Sequence, residues 1–503
     1  MSGRAANTTF FPLGLNRDSK VPLERQLYTQ LRDAILRGQV RPGWRIPSTR
    51  ILAGELECSR NTVVGAVELL LAEGYLVGKQ GSGTFVAQML PDELITTGTR
   101  TSAPHHEDDT VQLELSKRGE TMAGYAELRP LKNRPFDIGV PDIEFFPFPL
   151  WGRLLAKVWR HPQKELLSYG APGGYLGLRQ QITDYLRQSR GVSCEPGQVF
   201  VTSGAQQAFD FLGRMLLDPG DSVWVEDPGY IGSRGALASA GANIVPVEVD
   251  DEGLNIRSVS RNSARIRAAV VTPSHQFPLG VVMSLQRRLE LLNWAEKANA
   301  WIIEDDYDSE YRYSGPPLTS LQGLSAGPTN GKGRVIYVGS FSKVLFPGLR
   351  LGYMILPLQI ADKFSRGRRV LDSQYPSTAQ PVIAEFLREG HFLTHVRRMR
   401  KLYEGRQKVL RESVEAHMGD LVDMPPHDAG MHLIAYFKPK LCQRMDDREA
   451  ARRAVAAGVY PRPLSEFYVR KSPSQSLLLG YSGMKDAQIR KAVTQLSEAL
   501  LEK

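Results

Sequence analysis

The feature that most restricts how this chain can fold is a lysine placed just after a strand-like run late in the sequence. Lys343 follows two hydroxyl residues, Ser340 and Ser342, and Arg350 stands beyond a Pro-Gly turn. An amine that condenses with an aldehyde must be partly desolvated, because its pKa then falls and the neutral nucleophile becomes available. A phosphate on the same aldehyde requires hydroxyl and guanidinium donors near the amine. The apolar run at 335–338 therefore predicts a buried strand that ends at a site for a phosphorylated aldehyde.

The composition is that of a soluble globular protein with more than one domain. The 503 residues are 42% hydrophobic and 23% charged, and the formal net charge is +9. No apolar run approaches the roughly 20 residues that span a membrane, and the N-terminus lacks the layout of a signal peptide. The three cysteines form no Cys-x-x-Cys pair, which favours a reducing compartment and argues against disulfides or structural zinc. We therefore predict a cytoplasmic protein without a metal site or membrane association.

Residues 16–88 carry the pattern of a small helical unit that ends in a hairpin. Apolar residues recur at helical spacing in the first part, a second helix can begin from Ser48 or Thr49, and Ser59 suits the N-cap of a third. A glycine-rich turn at 78–83 joins two short strand-like runs. Three helices followed by such a wing predict a winged helix-turn-helix.

Changes in composition along the chain predict the domain boundaries. Residues 1–15 form a tail, residues 89–132 show no sustained period and predict a partly mobile linker, and residues 133–503 form one large domain. In that domain, apolar strand-like runs alternate with amphipathic helices, which predicts a mainly parallel sheet with helices on both faces. The clearest runs are 198–201, 222–225, 268–271, 300–303 and 335–338.

Three further patterns in the large domain suit the same ligand as the lysine segment. A Ser-Gly-Ala turn at 203–205 opens an apolar helix, whose free N–H groups can bind a phosphate. Tyr230 offers a flat surface to an aromatic ring, Asp305 can hold a pyridinium proton, and Tyr307 can donate to a ring oxygen. Each pattern alone has a plain structural explanation: a steric turn, a core tyrosine, an acidic loop at a sheet edge. Their order along the chain favours the ligand.

From about residue 136 onward the chain resembles the fold-type I aminotransferases, which bind pyridoxal 5'-phosphate. The resemblance rests on the motifs Ser203-Gly204-Ala205, Asp227-Pro228-Gly229-Tyr230, Asp305-x-Tyr307 and Ser340-x-Ser342-Lys343 with Arg350. It implies that Lys343, the catalytic residue, forms the internal aldimine and that Asp305 pairs with the pyridine nitrogen. Tyr307 then reaches the ring oxygen, and Tyr230 stacks on the ring. The implied phosphate ligands are Gly204, Ala205, Ser340, Ser342 and Arg350, with Tyr169 reaching the phosphate of a partner subunit.

Two positions depart from the aminotransferase pattern. Phe277 stands where those enzymes carry an asparagine near the ring, so that polar contact is lost or is supplied by His275 or Gln276. Leu478 stands where they carry an arginine that forks onto the substrate carboxylate. Without a bidentate guanidinium an α-carboxylate is harder to orient. We therefore expect at most a weak transaminase half-reaction and no efficient general transamination.

The N-terminal unit resembles the winged helix of the GntR-type regulators. The matching motifs are Arg45-Ile46-Pro47-Ser48-Thr49-Arg50, Ser59-Arg60-Asn61-Thr62-Val63 and the wing Lys79-Gln80-Gly81-Ser82-Gly83-Thr84-Phe85-Val86. By resemblance the start of the third helix enters the major groove and the wing approaches the minor groove. The predicted DNA-binding residues are Arg45, Arg50, Ser59, Arg60, Asn61, Thr62, Lys79, Gln80 and Gly81. A winged helix used for protein contacts is the alternative.

Together the two parts resemble the MocR/GabR subfamily of GntR-type regulators. This resemblance implies a multidomain chain: a winged helix-turn-helix and an α/β pyridoxal-phosphate-dependent transferase fold (type I) with a small C-terminal α/β subdomain. It further implies a head-to-tail homodimer on double-stranded DNA with repeated half-sites. We expect a transcriptional regulator that senses an amine or amino-acid-like effector through an aldimine at Lys343. An active aminotransferase that carries a DNA-binding domain, and a sensor of pyridoxal phosphate itself, are the alternatives.

Overall fold

The chain divides into two compact units, residues 1–113 and 114–503. The structure is a computed structural model that describes residues 13–90, 114–125, 134–259, 265–325, 333–373 and 375–501. Tail residues 1–12 lie outside the described residues, as do residues 91–113 and 126–133, which include most of the linker predicted at 89–132. Among the described residues, no helix combines the length and the apolar composition needed to cross a membrane.

The first unit is the predicted winged helix-turn-helix. Its three helices are α1 (Leu23–Leu36), α2 (Thr49–Glu55) and α3 (Arg60–Ala72). An antiparallel hairpin of β1 (Leu76–Lys79) and β2 (Gly83–Val86) forms the wing. The apolar faces of the three helices and the hairpin share one buried core, so the unit has a hydrophobic centre of its own.

Local capping residues set where the helices of this unit begin and end. The Ser48 hydroxyl accepts the N–H of Ile51, and the Ser59 hydroxyl accepts the N–H of Thr62 at 3.1 Å. These caps satisfy N–H groups that the first turn of a helix leaves without partners. Beyond α1, Gly38 takes a φ of +70°, which allows the chain to leave the helix.

The second unit is built on an eight-stranded sheet with the order β3-β10-β9-β8-β7-β4-β5-β6. Strands β4, β5, β7, β8 and β9 pair in parallel, as expected of a mainly parallel sheet. However, β5 was not among the predicted runs, and the predicted run at 198–201 became β3, which pairs only antiparallel with β10. The bounds are β3 (Val199–Thr202), β4 (Ser222–Asp227), β5 (Asn243–Asp250), β6 (Gly253–Leu254), β7 (Ile266–Val271), β8 (Trp301–Asp306), β9 (Val335–Ser340) and β10 (Gly352–Ile355).

Strand β10 was not predicted and runs antiparallel to both of its neighbours, β3 and β9. Only four residues long, it lacks a distinct sequence pattern, and its place is decided by close packing. A Cβ at Gly352 would lie 2.8 Å from the Cα of Gly204 and from the carbonyl oxygen of Gly339. Because β10 lies between β3 and β9, the segment after Lys343 returns to the start of the helix that follows β3.

Helices cover both faces of the large sheet. Neighbouring residues of β9 enter different cores: Ile336 and Val338 lie in one, and Tyr337 lies in the other. The helices of the second unit, including those of its C-terminal part, are α4 (Lys117–Gly124), α5 (Phe148–Arg160), α6 (Leu176–Arg190), α7 (Ala205–Leu216), α8 (Ile231–Ser239), α9 (Leu285–Ala298), α10 (Leu321–Ser325), α11 (Leu358–Leu371), α12 (Gln380–Arg388), α13 (His391–Met418), α14 (Pro439–Cys442), α15 (Asp447–Ala456) and α16 (Asp486–Leu501).

Helix α4 falls inside the segment predicted as a partly mobile linker. Ser116 caps it by accepting the N–H of Gly119 at 3.1 Å, and the helix packs against α8. No residue of α4 is buried, which explains why its sequence shows no apolar period.

A second, antiparallel sheet of four strands forms the small C-terminal subdomain. Its order is β11 (Val422–Asp423), β12 (His432–Phe437), β14 (Ser476–Gly480) and β13 (Arg462–Pro463), so β13 is an edge strand. Gly480 approaches the chain that enters the large unit: a Cβ there would lie 2.0 Å from the carbonyl oxygen of Asp137. Only glycine fits at this junction.

Candidate functional site

A cavity of about 720 Å³ lies where the ends of β3, β4, β8 and β9 meet. The carboxyl ends of neighbouring parallel strands converge on one edge of a sheet, which is where ligands of open α/β folds bind. Nine of the predicted cofactor-binding residues line this cavity: Gly204, Ala205, Tyr230, Asp305, Tyr307, Ser340, Ser342, Lys343 and Arg350. The topology thus gathers side chains from four separate loops into one site.

Lys343 lies inside the cavity, on the turn that follows β9. Its Nζ donates a hydrogen bond to the carbonyl oxygen of Gly139 at 2.9 Å. Burial lowers the pKa of the Lys343 amine, Asp308 and Asp305 oppose that shift, and Arg350 adds to it. Desolvation disfavours the charged ammonium, so a neutral amine is more accessible here than on the surface.

Asp305 is the penultimate residue of β8, and one of its carboxylate oxygens faces no donor. It is 6% exposed, and its Oδ1 has no hydrogen-bond partner among the described residues. Burial, with Asp306, Glu226 and Asp308 nearby, raises the pKa of the Asp305 carboxyl to about 8, while Lys343 lowers it. A buried carboxyl group with such a pKa is suited to a cationic partner in the cavity.

Glu226 is a buried acid that the sequence did not single out. It accepts hydrogen bonds from the N–H of Thr272 at 3.1 Å, from the Thr272 hydroxyl at 2.5 Å and from Gln276 at 3.1 Å. Burial raises the pKa of Glu226 to about 7 despite these bonds. Its position at the end of β4, one residue before a loop motif, gave no local signal of that environment.

Behind the cavity, a hydrogen-bonded chain supports Tyr307. The Tyr307 hydroxyl lies 2.9 Å from Nδ1 of His275, and that nitrogen lies 3.1 Å from both carboxylate oxygens of Asp308. Burial first, then Asp308 and Asp305, raise the pKa of Tyr307 well above its ordinary value. The phenol therefore stays protonated and can act as a hydrogen-bond donor.

Phe277 lines the cavity, and its neighbours do not restore the polar contact that an asparagine would make. Gln276 is buried and donates to Glu226 and to the carbonyl oxygens of Pro228 and Phe277. His275 reaches Tyr307 rather than the cavity. Neither His275 nor Gln276 is among the described residues that line the cavity, so neither side chain replaces the asparagine contact.

The end of the cavity that is suited to a phosphate is formed by the start of α7 and the turn after β9. Gly204 is the N-cap of α7 with a φ of +107°, and a Cβ there would lie 3.9 Å from the Arg350 guanidinium. Ser342 donates its N–H to Ser340 at 3.2 Å, while its buried Oγ lacks a partner among the described residues. Helix N–H groups, hydroxyls and a guanidinium here surround one small space.

Tyr169 is the predicted site residue that the structure does not bring to this cavity. Its side chain is 92% exposed and lines a separate pocket of about 600 Å³. A residue so exposed cannot contact the cavity of its own chain. Its expected role, which was to reach the phosphate of a partner subunit, remains a prediction.

Sequence reasoning missed several polar residues on the outer wall of the cavity. Arg448, Arg462 and Glu466 come from the small C-terminal subdomain, and Tyr125 comes from the end of α4. None lies in a recognisable motif. The only sequence signal was the absence of an arginine at position 478. In the structure, Leu478 on β14 pairs directly with Arg462 on β13.

In the first unit, most of the predicted DNA-binding side chains are exposed. Arg60 and Asn61 lie at the first turn of α3, Arg50 lies in α2, and Lys79 reaches over the Phe85 ring at 5.1 Å. The backbone of Arg45 forms an antiparallel β-bridge with Phe85 in the wing, and Gln80 and Gly81 lie at the tip of the wing. Ser59 and Thr62 are partly used within the protein, since their hydroxyls lie 2.9 Å apart in the cap of α3.

Known proteins resemble the chain over both units. Residues 23–86 match the family of bacterial regulatory proteins called the gntR family, and residues 137–496 match aminotransferase class I and II. A probable rhizopine catabolism regulatory protein MocR of Rhizobium meliloti is 43% identical over 97% of this chain and 96% of its own. The pyridoxine biosynthesis transcriptional regulator PdxR of Corynebacterium glutamicum is 30% identical over 97% and 98%.

Among solved structures, the α-aminoadipate aminotransferase LysN of Thermus thermophilus, complexed with N-(5'-phosphopyridoxyl)-L-leucine, has a TM-score of 0.67. It is 27% identical and covers 77% of this chain and 98% of its own. Pyridoxal 5'-phosphate is thus the cofactor of the large unit. The cavity fits it, because the unpartnered oxygens of Asp305 and Ser342 suit a pyridinium and a phosphate, and Lys343 lies in the same cavity.

Proposed function

The chain belongs to the MocR/GabR subfamily of GntR-type transcriptional regulators, and we propose that it controls transcription in response to an amine that engages the cofactor at Lys343. One observation carries this proposal: the cofactor cavity retains its lysine and its buried acid, but Leu478 stands where an arginine would orient a substrate carboxylate and Phe277 stands where an asparagine would contact the cofactor ring. Such a site can capture an amine without efficient turnover.

Individual residues have distinct roles in holding the cofactor. Asp305 would pair with the pyridine nitrogen, Tyr307 would donate to the ring oxygen, and Tyr230 would lie against the ring. The phosphate would be held by Gly204, Ala205, Ser340, Ser342 and Arg350. When bound, pyridoxal phosphate supplies an aldehyde carbon that can bond to the amine of Lys343 or of an effector.

The electrostatics of Lys343 support reversible capture. Because burial lowers its pKa, the amine loses its proton more readily than a surface lysine does. The carbonyl oxygen of Gly139, 2.9 Å from Nζ of Lys343, provides a hydrogen-bond acceptor for the displaced amine. An effector amine can then replace Lys343 without leaving a charged group unsolvated.

DNA recognition is proposed to rest on the exposed start of α3, on Arg50 and on the wing. Arg60 and Asn61 would read base edges, and Lys79, Gln80 and Gly81 would approach the minor groove. Two copies of the chain are expected to bind repeated half-sites head to tail. The 92% exposure of Tyr169 supports a partner contact there. This role requires access to the chromosome, so we expect the protein in the cytoplasm.

A regulator alters its DNA affinity only through a ligand that binds its conformational states unequally. The test is a titration of the full-length holoprotein with a panel of amines. Cofactor absorbance is recorded alongside binding to a DNA duplex selected from a random library. We expect at least one amine to change both signals in the native protein and in the surface control Lys363→Ala. In Lys343→Ala the amine can still condense with the bound aldehyde and change the absorbance, but it displaces no lysine, so DNA binding should not respond.

Two outcomes would replace the proposal with an alternative. An amine that changes the absorbance and is turned over repeatedly, with no effect on DNA binding, would indicate an aminotransferase that carries a DNA-binding domain. DNA binding that depends on added pyridoxal phosphate but on no amine would indicate a sensor of the cofactor itself.

A further inference from the structure

An arginine faces the cavity beside the position from which the aminotransferase arginine is missing. Arg462 on edge strand β13 pairs directly with Leu478 on β14. Residues directly opposite each other in an antiparallel pair project from the same face of the sheet. Leu478 is fully buried in an apolar cluster with Ile434 and Phe467, whereas Arg462 lines the cavity. The guanidinium thus comes from edge strand β13, the neighbour of the strand that carries Leu478.

This arginine is already engaged by an acid that lines the same cavity. Nε of Arg462 donates to Oε2 of Glu466 at 2.7 Å, and its Nη2 contacts the same oxygen. The guanidinium also lies over the Phe467 ring, 5.3 Å from its centroid. The side chains of Arg462 and Glu466 are only 20% and 18% exposed, so water screens their charges incompletely.

The pair presents a donor and an acceptor with no net charge. A carboxylate that approached Arg462 would also approach Glu466, and two carboxylates in a partly desolvated site repel each other. A hydroxyl group avoids this cost because it can accept from the guanidinium and donate to the carboxylate. Arg448 lies on the same wall, but its side chain is exposed and its Nε donates to the Ser465 hydroxyl at 3.3 Å. Its charge is therefore largely screened.

We propose that Arg462 and Glu466 select a hydroxylated amine, rather than an amino acid, as the effector. This inference rests on the proposed function, because it concerns the end of the effector that does not reach Lys343. Leu478 contributes by offering no guanidinium to a carboxylate, and the paired residues contribute by recognising a neutral polar group. The cavity is thereby specific for a class of amine that the aminotransferase arginine would not favour.

The test compares amines that differ only in this group. The full-length holoprotein is titrated with ethanolamine against glycine, 3-amino-1-propanol against β-alanine, 4-amino-1-butanol against 4-aminobutanoate, and serinol against serine. Three chain lengths allow for the unknown reach of the site. Binding is read from cofactor absorbance and from the shift in melting temperature. In the tightest-binding pair we expect the alcohol to bind at least about fivefold more tightly than the carboxylate.

Variants of the pair should move this ratio in a way that a purely structural role would not. Glu466→Gln leaves the guanidinium available to fork onto a carboxylate, so the ratio should shift toward the carboxylate by about tenfold. Arg462→Gln should weaken the alcohol without improving the carboxylate. Glu449→Gln, in the Arg453–Glu449 pair outside the cavity lining, should leave the ratio unchanged.

Each outcome bears on a different claim. Tighter binding of the carboxylates by the native protein, or an unchanged ratio in a cofactor-loaded Glu466→Gln variant, would overturn this selectivity while leaving the regulator intact. No response to any of these amines or to the wider amine panel would overturn the proposed function, and this inference with it.

Discussion

Replacing Asp305 with asparagine should weaken cofactor binding and, at the same time, stabilise the cofactor-free protein. Asparagine keeps the size of the side chain but cannot ionise. The lost partner of the pyridine nitrogen is a charged hydrogen bond, which is worth roughly 1.5–3 kcal/mol. Since each 1.4 kcal/mol is tenfold in affinity, binding of pyridoxal phosphate should fall about 10- to 100-fold.

The opposite effect on the empty protein follows from the pKa of the carboxyl. Its ordinary value is 3.8, and burial, with the charges of Asp306 and Glu226, raises it to about 8. Holding a proton on this group at pH 7 costs on the order of 4 kcal/mol relative to the unfolded chain. Asparagine removes that cost. The gain should be absent below about pH 4, where both states are protonated, and should grow until about pH 8.

Two measurements on the same preparations test this reasoning. Reconstitution of cofactor-free protein, followed by absorbance, gives the affinity, and urea unfolding of cofactor-free protein at pH 4, 7 and 8 gives the stability. Asp362→Asn is the matched control, because that side chain is 79% exposed. Unchanged cofactor affinity in Asp305→Asn, or a cofactor-free variant less stable than the native protein at pH 8, would refute the assignment of Asp305.

Three further predictions concern the lysine, the DNA unit and turnover. Lys343→Ala should retain affinity for pyridoxal phosphate through the phosphate-binding residues but lose the borohydride-reducible bond, and a persistent reducible bond would mean that another lysine reacts. Arg60→Ala should lose about 1–3 kcal/mol of operator-binding free energy and relax specificity at one base pair, whereas Arg50→Ala should weaken binding to all DNA sequences and flatten the salt dependence of binding. Unchanged operator binding in both variants would exclude the winged helix as the DNA reader. With Leu478 in place of the carboxylate-binding arginine and Phe277 in place of the ring-contacting asparagine, steady transamination of common amino and keto acids should be negligible. Turnover on the order of 1–10³ per second in a coupled assay would contradict this.

The predictions that succeeded rest on signals carried by short stretches of chain. The caps at Ser48 and Ser59 are local, because a hydroxyl bonds an N–H three residues away. The parallel strands other than β5 were visible as apolar runs, since such strands are buried on both faces, whereas β5 is only partly buried. Short elements without such a signal, β10 and α4, were missed.

By itself, the sequence determined the order of the motifs, the two kinds of unit and the lysine at the centre of the cofactor site. Tertiary structure alone decided which residues complete that site. Arg462 reaches the cavity only because its strand pairs with that of Leu478, and Asp305 acquires its high pKa only because distant segments bury it beside Glu226. Strand register and desolvation arise between segments far apart in the chain, and no local pattern of residues encodes them.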